Sequence, residues 1–255
     1  MSNEHEATGA GAVTGSEPVV PRDAGNWAPK VERLSVADDV AAHGYNVAGR
    51  RVTGPQQGFG RLWQRDYWAD LGSAVTPRDL VGDWRAHFGD FWPRGAKFHG
   101  ALTGIEPGAV APLELGPGHG LSLATGVMVL YADEESFTFM TPEGHMFAGL
   151  ITFSGEEADD GGTVVRIRIL LRTNDPLYEL GWPIMKKAED VFWAGTLRNL
   201  AAAHGVAEVE VGETSECLDR RRIWRNWRNV RHNAGIRSAW HTVTAPFRAS
   251  GPVAE

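Results

Sequence analysis

The segment TVVRIRILLR at 163–172 leaves this chain few structural options. Val165, Ile167, Ile169 and Leu171 alternate with Arg166, Arg168 and Arg172. A two-residue period of this kind separates a dry face from a charged one only in a β-strand. The chain before it continues the pattern. After GPGHG at 116–120, candidate strands at 121–132, 136–140 and 145–154 are separated by Asp133-Glu134-Glu135, Thr141-Pro142-Glu143-Gly144 and the acid- and glycine-rich stretch 156–162. Connections this short predict an antiparallel meander. Residues 97–115 hold several Gly and Pro and predict short strands and turns.

Upstream, FGRLWQRDYWADL at 59–71 sets Phe59, Trp63 and Tyr67 against Leu62 and Trp68, a further strand covered on both faces. Thr76-Pro77-Arg78-Asp79 then reads as an N-cap, a proline at the first helical position and a first-turn acid. Leu80, Val81, Trp84, Phe88 and Phe91 follow at helical spacing as far as Pro93. Beyond the meander, Pro176 opens a long helix that runs past Pro183 to about His204 and stops at Gly205. Its expected apolar set is Ile184, Ala188, Val191, Phe192 and Gly195. Strand, helix, antiparallel strands and a long last helix predict an α+β domain, with the helix packed across a curved sheet.

Composition bounds the function. The chain has 255 residues, 42% of them hydrophobic, enough to bury a core, which excludes disorder of the whole chain. Cys217 is the single cysteine, so neither an intrachain disulfide nor a Cys-based zinc finger can form. No apolar run reaches 18 residues and the first residues lack a secretory pattern, so a soluble, cytoplasmic protein is expected. The nine histidines never fall four apart on a helix, which removes the two-His zinc signature. His99, His119 and His145 remain as a ligand set from separate strands, against the ordinary alternative of hydrogen-bonded structural histidines. GPGHG does not lead a strand into a helix, and neither a Walker sequence nor a G-x-S-x-G elbow occurs. No metal and no cofactor are expected. The two acidic clusters read as solvated hairpin turns.

The ends read differently from the middle. Residues 1–26 carry almost no large apolar side chain and are expected to be a disordered tail. Residues 27–57 are expected to be an extension lying over the main domain, 58–206, and 207–255 a second extension. Residues 218–248 hold eight arginines and one acid. That segment carries +7 and the rest of the chain −14. Ile223, Trp224, Trp227 and Val230 predict an amphipathic helix over 218–232, with Arg221, Arg222, Trp224, Arg225, Trp227 and Arg228 as contact residues. Its counterpart is an anionic membrane surface, a nucleic acid, or the chain's own acidic domain or an acidic partner. Nucleic acid is the least expected, because the whole protein is acidic.

VLYADEESFTFMTPEGHMFAG at 129–149, with Tyr131 and Asp133 before a turn, Gly144-His145 and Ala148-Gly149, precedes Leu180-Gly181-Trp182-Pro183 at the opening of the last helix. In these features residues 97–204 resemble the SRPBCC (START-like, helix-grip) superfamily, in a branch of unknown function found in bacteria and plants. Leu150 stands where that branch usually has Glu. The resemblance implies a hydrophobic cavity between the curved sheet and the C-terminal helix. Candidate lining residues are Trp63, Phe88, Phe137, Phe139, His145, Phe147, Phe192 and Trp193, with simple core filling as the alternative for the aromatics. His145 shares a strand face with Phe147, Gly149, Ile151 and Phe153; it either orients a ligand or caps the turn before it. The expected function is binding or carriage of a hydrophobic small molecule or lipid. A cyclase- or hydrolase-type enzyme using His145 as acid/base, and an interaction module acting through the Arg-rich tail, are the alternatives.

Overall fold

A computed structural model describes residues 23–36, 45–100, 104–116 and 123–240. The expected tail therefore lies almost wholly outside the described residues, as do GPGHG beyond Gly116, His119 and everything after Trp240. Among the described residues nine strands form one antiparallel sheet. They are β1 (Val52–Thr53), β2 (Leu62–Asp70), β3 (Lys97–Phe98), β4 (Val110–Leu115), β5 (Leu123–Ala132), β6 (Ser136–Pro142), β7 (Phe147–Glu157), β8 (Thr163–Thr173) and β9 (Val211–Asp219). The hydrogen-bonded order is β3-β4-β5-β6-β7-β8-β2-β9, with β1 pairing the end of β6. Two helices pack with the sheet, α1 (Pro77–Ala86) and α2 (Pro176–Ala203), and residues 234–240 are also helical.

Register follows from the alternation seen in the sequence. Trp63 faces Leu171, Arg65 faces Ile169 and Tyr67 faces Ile167 across β2 and β8. Phe153 opposes Ile167 on one side and Phe137 on the other. Residues directly opposite in antiparallel strands share a face, so these side chains make one inner surface. On the outer surface Arg168 reaches Asp66 at 2.6 Å. The sheet curves around α2, which buries Trp182, Trp193, Leu197 and Leu200 against the inner surface. This is the helix-grip arrangement of an α+β fold.

Helix α1 begins as expected: Thr76 Oγ1 accepts the backbone N–H of Asp79 at 3.2 Å. It ends sooner than the apolar spacing suggests, at Ala86, and Phe88 and Phe91 are buried in the turns that follow. Trp84 lies with its ring 5.1 Å from Phe153 and 5.8 Å from Phe137. The helix comes so near the sheet that a Cβ on Gly155 would stand 2.7 Å from the Pro77 carbonyl oxygen. Only glycine admits that approach.

Helix α2 corrects the expected face. Ile184 and Val191 are 79% and 68% exposed, while Glu189, between them, points inward with Met185 and Trp193. An acid on the inner side breaks the apolar pattern and rotates a reading based on hydrophobicity alone.

The described parts of the 27–57 segment, 27–36 and 45–57, pack on the outer surface. Leu34 and Val47 enclose Met128, and the Trp27 ring lies 4.7 Å from that of Tyr131. At the other end the chain does not leave the sheet at 206, since β9 pairs with β2 along most of its length. Nor does an α-helix cover 218–232. After β9 the chain forms a 3-10 helix at Trp224–His232. A period of three decides this. It aligns Asn226 with Asn229, and both donate to main-chain carbonyls: Asn226 to Gly58 at 2.8 Å, Asn229 to Gln57 at 2.7 Å and to Asn174 at 2.9 Å. Asn233, just beyond, donates to Asp175 at 2.7 Å. Asp175 is the N-cap of α2, so the C-terminal segment clamps the start of that helix.

Candidate functional site

Inner sheet surface and α2 do not close completely. Between them lies a cavity of about 350 Å³. Strands β4 to β8 supply Leu113, Val127, Phe139, Phe147, Phe153 and Ile169 as one wall. Phe88 and Trp92, after α1, close one side, and Met185, Ala188, Phe192 and Trp193 of α2 form the other wall. Thr141, His145 and Glu189 are the hydroxyl, imidazole and carboxyl groups among the described lining residues.

Each of these polar groups has a distinct environment. Thr141 Oγ1 accepts the Gly149 backbone N–H at 3.1 Å across the β6–β7 pair. His145 is buried, and its Nδ1 lies 3.0 Å from the Phe147 backbone N and 3.2 Å from the Phe147 carbonyl oxygen. The ring is thus tied to the strand that follows, not to the preceding turn. Burial lowers its pKa from 6.5 to about 4.

Glu189 belongs to a cluster built around a buried arginine of β2. Arg65, at the centre of β2, points inward between Trp63 and Tyr67 and is almost wholly buried. Its two Nη atoms go to different acids, Nη1 to Glu189 and Nη2 to Asp190. The Tyr67 hydroxyl donates to Asp190 at 3.0 Å, and Lys186 Nζ reaches its second oxygen at 3.2 Å. Burial opposes ionisation of Asp190, but Arg65, Lys186 and Tyr67 together hold its carboxyl below the usual range. At Glu189 burial outweighs the pull of the shared guanidinium and pushes the pKa up to about 7. A signal for this cluster was present in the sequence: Arg65 has the same strand parity as Trp63 and Tyr67, so alternation alone places it inside.

Six of the eight expected lining residues line the cavity: Phe88, Phe139, His145, Phe147, Phe192 and Trp193. Phe137 and Trp63 do not. Phe137 stacks on Phe153 at 4.8 Å and is closed off by Trp84 of α1. Trp63 packs against Trp182 at 5.7 Å, with the Arg61 guanidinium over its ring. The sheet face is longer than the cavity, and α1 and the start of α2 fill what lies beyond it.

The Arg-rich segment is in part consumed by the body. Arg221 pairs with Asp219, which hydrogen bonds from Arg221 and Arg172 hold well below the usual carboxylate range. Arg222 Nε reaches the buried Glu179 at 3.0 Å. Arg225 and Arg228 are exposed. Trp224 and Trp227 are 69% and 47% exposed, although the edge of Trp224 rests on Phe59.

Among the described residues no group of three His, Cys, Asp or Glu is placed to hold a metal ion, and no helix is long and apolar enough to cross a membrane. No protein-family model matches the chain, and no curated protein does. Solved structures of low identity are similar to parts of it. One is the di-domain ARO/CYC StfQ from the steffimycin biosynthetic pathway, 10% identical over 56% of this chain with a TM-score of 0.43. The match spans 50% of that protein's length. Another is Ara h 8.0201, 14% identical over 55% of this chain and 97% of that one, with a TM-score of 0.38. A third is the major latex-like protein 151 of Panax ginseng, 17% identical over 57% and 99%, also with a TM-score of 0.38.

Proposed function

We propose that the protein binds a hydrophobic small molecule or lipid in the cavity between sheet and α2. One observation carries this: the cavity, about 350 Å³, has the size of small-molecule sites and is lined mostly by apolar side chains. A ligand that buries about 200 Å² of apolar surface gains roughly 5 kcal/mol before the costs of immobilisation. Burial lowers the His145 pKa to about 4, which makes its ring a weak general base at neutral pH.

Mass spectrometry of protein purified from its native host, under native conditions and after organic extraction, tests the function. A stoichiometric apolar adduct is expected, and a clean apo mass counts against it. Phe147→Asp, which puts a charge into the wall, should weaken retention at least tenfold, and so should Ala188→Trp, which fills the cavity from the helix side. Unchanged retention in both folded variants would sink the proposal.

A second contact, with an anionic membrane surface, is proposed for the C-terminal segment. Its support is the row structure of the 3-10 helix: a period of three aligns exposed Trp224 with Trp227, and exposed Arg225 with Arg228 and Arg231. Tryptophan beside arginine suits a lipid interface. Exposed Leu177, Leu180 and Ile184 on the neighbouring start of α2 add apolar area. Sedimentation should show several-fold more protein on phosphatidylserine vesicles than on phosphatidylcholine vesicles, and Trp224→Ala with Trp227→Ala should abolish the difference. Equal sedimentation on both lipids would instead favour an acidic protein partner, or none.

A further inference from the structure

On the cavity-binding function proposed above, we infer that the ligand is an uncharged apolar molecule bearing one hydrogen-bond donor, and that the Glu189 carboxyl accepts from it. Two of the other polar atoms in the wall are committed, whereas the buried Trp92 indole N–H has no hydrogen-bond partner among the described residues. Thr141 Oγ1 takes the Gly149 N–H, and His145 Nδ1 is engaged by the Phe147 main chain. Asp190, which does not line the cavity, is served by Arg65, Tyr67 and Lys186. Glu189 receives only one of the Arg65 nitrogens and a hydrogen bond from the Trp193 side chain. A carboxylate has about four acceptor positions, so capacity remains on the group that lines the cavity. A buried carboxyl with unfilled acceptor positions is costly, and a donor on the ligand removes that cost.

Charge argues that the ligand is neutral. When Glu189 is ionised, Arg65 and Lys186 balance it and Asp190. Among the described residues lining the cavity none is Lys or Arg. An anionic head group would therefore lie beside Glu189 without a counter-ion, and a cationic one would leave a surplus positive charge in an apolar wall. A hydroxyl satisfies the site without either penalty.

Three related probes test this on the full-length protein: 2-naphthol, 2-methoxynaphthalene and 2-naphthoate, titrated by calorimetry. 2-Naphthol is expected to bind about tenfold more tightly than 2-methoxynaphthalene, and 2-naphthoate most weakly. In Glu189→Leu the preference for the hydroxyl should shrink to within about twofold, while Glu189→Gln, which keeps an acceptor oxygen, should retain part of it. Equal affinity of the wild type for naphthol and its methyl ether overturns the inference, as does a preference unchanged in Glu189→Leu. Tight binding of the naphthoate overturns it too. Where Glu189→Leu does not fold, the wild-type comparison decides alone. If all three bind equally, the cavity function stands and only the inference about Glu189 falls. If none binds, both fall.

Discussion

Replacing Arg65 by Met is expected to lower the free energy of unfolding by about 3–5 kcal/mol. Arg65 is almost wholly buried and is the shared counter-ion of Glu189 and Asp190. Without it Asp190 keeps Lys186 and Tyr67, but Glu189 is left to the Trp193 side chain alone. Protonation can relieve Glu189, and the relief is part of the expected cost. The double variant Arg65→Met/Glu189→Leu should recover most of the loss, because an apolar pair of similar volume often replaces a buried ion pair without penalty. Urea unfolding at fixed pH measures both. A single-variant loss below about 1 kcal/mol would mean that the guanidinium does not hold these acids together.

The second large effect is on the pH dependence of stability, and it shows only when one of two groups is removed. An unfolded His145 takes up a proton near its ordinary 6.5, whereas the folded ring resists until about 4. Its contribution is therefore intact above pH 6.5 and falls as the pH is lowered towards 4, by about 3 kcal/mol in all. Glu189 works in the opposite sense. Its folded carboxyl titrates near 7 and its unfolded one near 4.5, so its contribution is intact below 4.5 and is lost as the pH rises to 7. In the intact protein the two slopes oppose each other between 4.5 and 6.5. His145→Gln should accordingly gain stability as the pH falls through that window, and Glu189→Gln should lose it. Unfolding free energies of both variants across the window give the signs, and two slopes of the same sign would refute the assignment.

How much of this was legible beforehand depended on whether the deciding interaction was local. The meander strands, the Thr76 cap, and the Pro176 start and Gly205 stop of the long helix were readable because a two-residue period, a cap and a positive-φ glycine act within a few residues. The inward face of α2 was not, because the sheet opposite decides it and admits Glu189 through Arg65. The separation of Phe139 from Phe137 was beyond a sequence reading for the same reason. Both point inward from one strand, and only Trp84, brought across by α1, determines that one borders open space and the other does not. Strand β9 escaped notice because it is polar along much of its length, with Glu213, Thr214, Ser215 and Glu216 exposed. No alternation marks a strand that buries so little on either face.

That polarity has a consequence of its own. Strand β2 carries Trp63, Tyr67 and Trp68, and β9 pairs along its otherwise unpartnered side. A chain ending near 206, where the sequence pattern invites a boundary, would leave a long aromatic strand with a free row of N–H and C=O groups, a template for association with other chains. Strand β9 satisfies that row and turns outward a border of acids that repels its own kind. The opposite border is β3, two residues long and beginning with Lys97, too short to seed a ribbon. Among the described residues charge marks one margin of the sheet and brevity the other, and both disfavour edge-to-edge pairing.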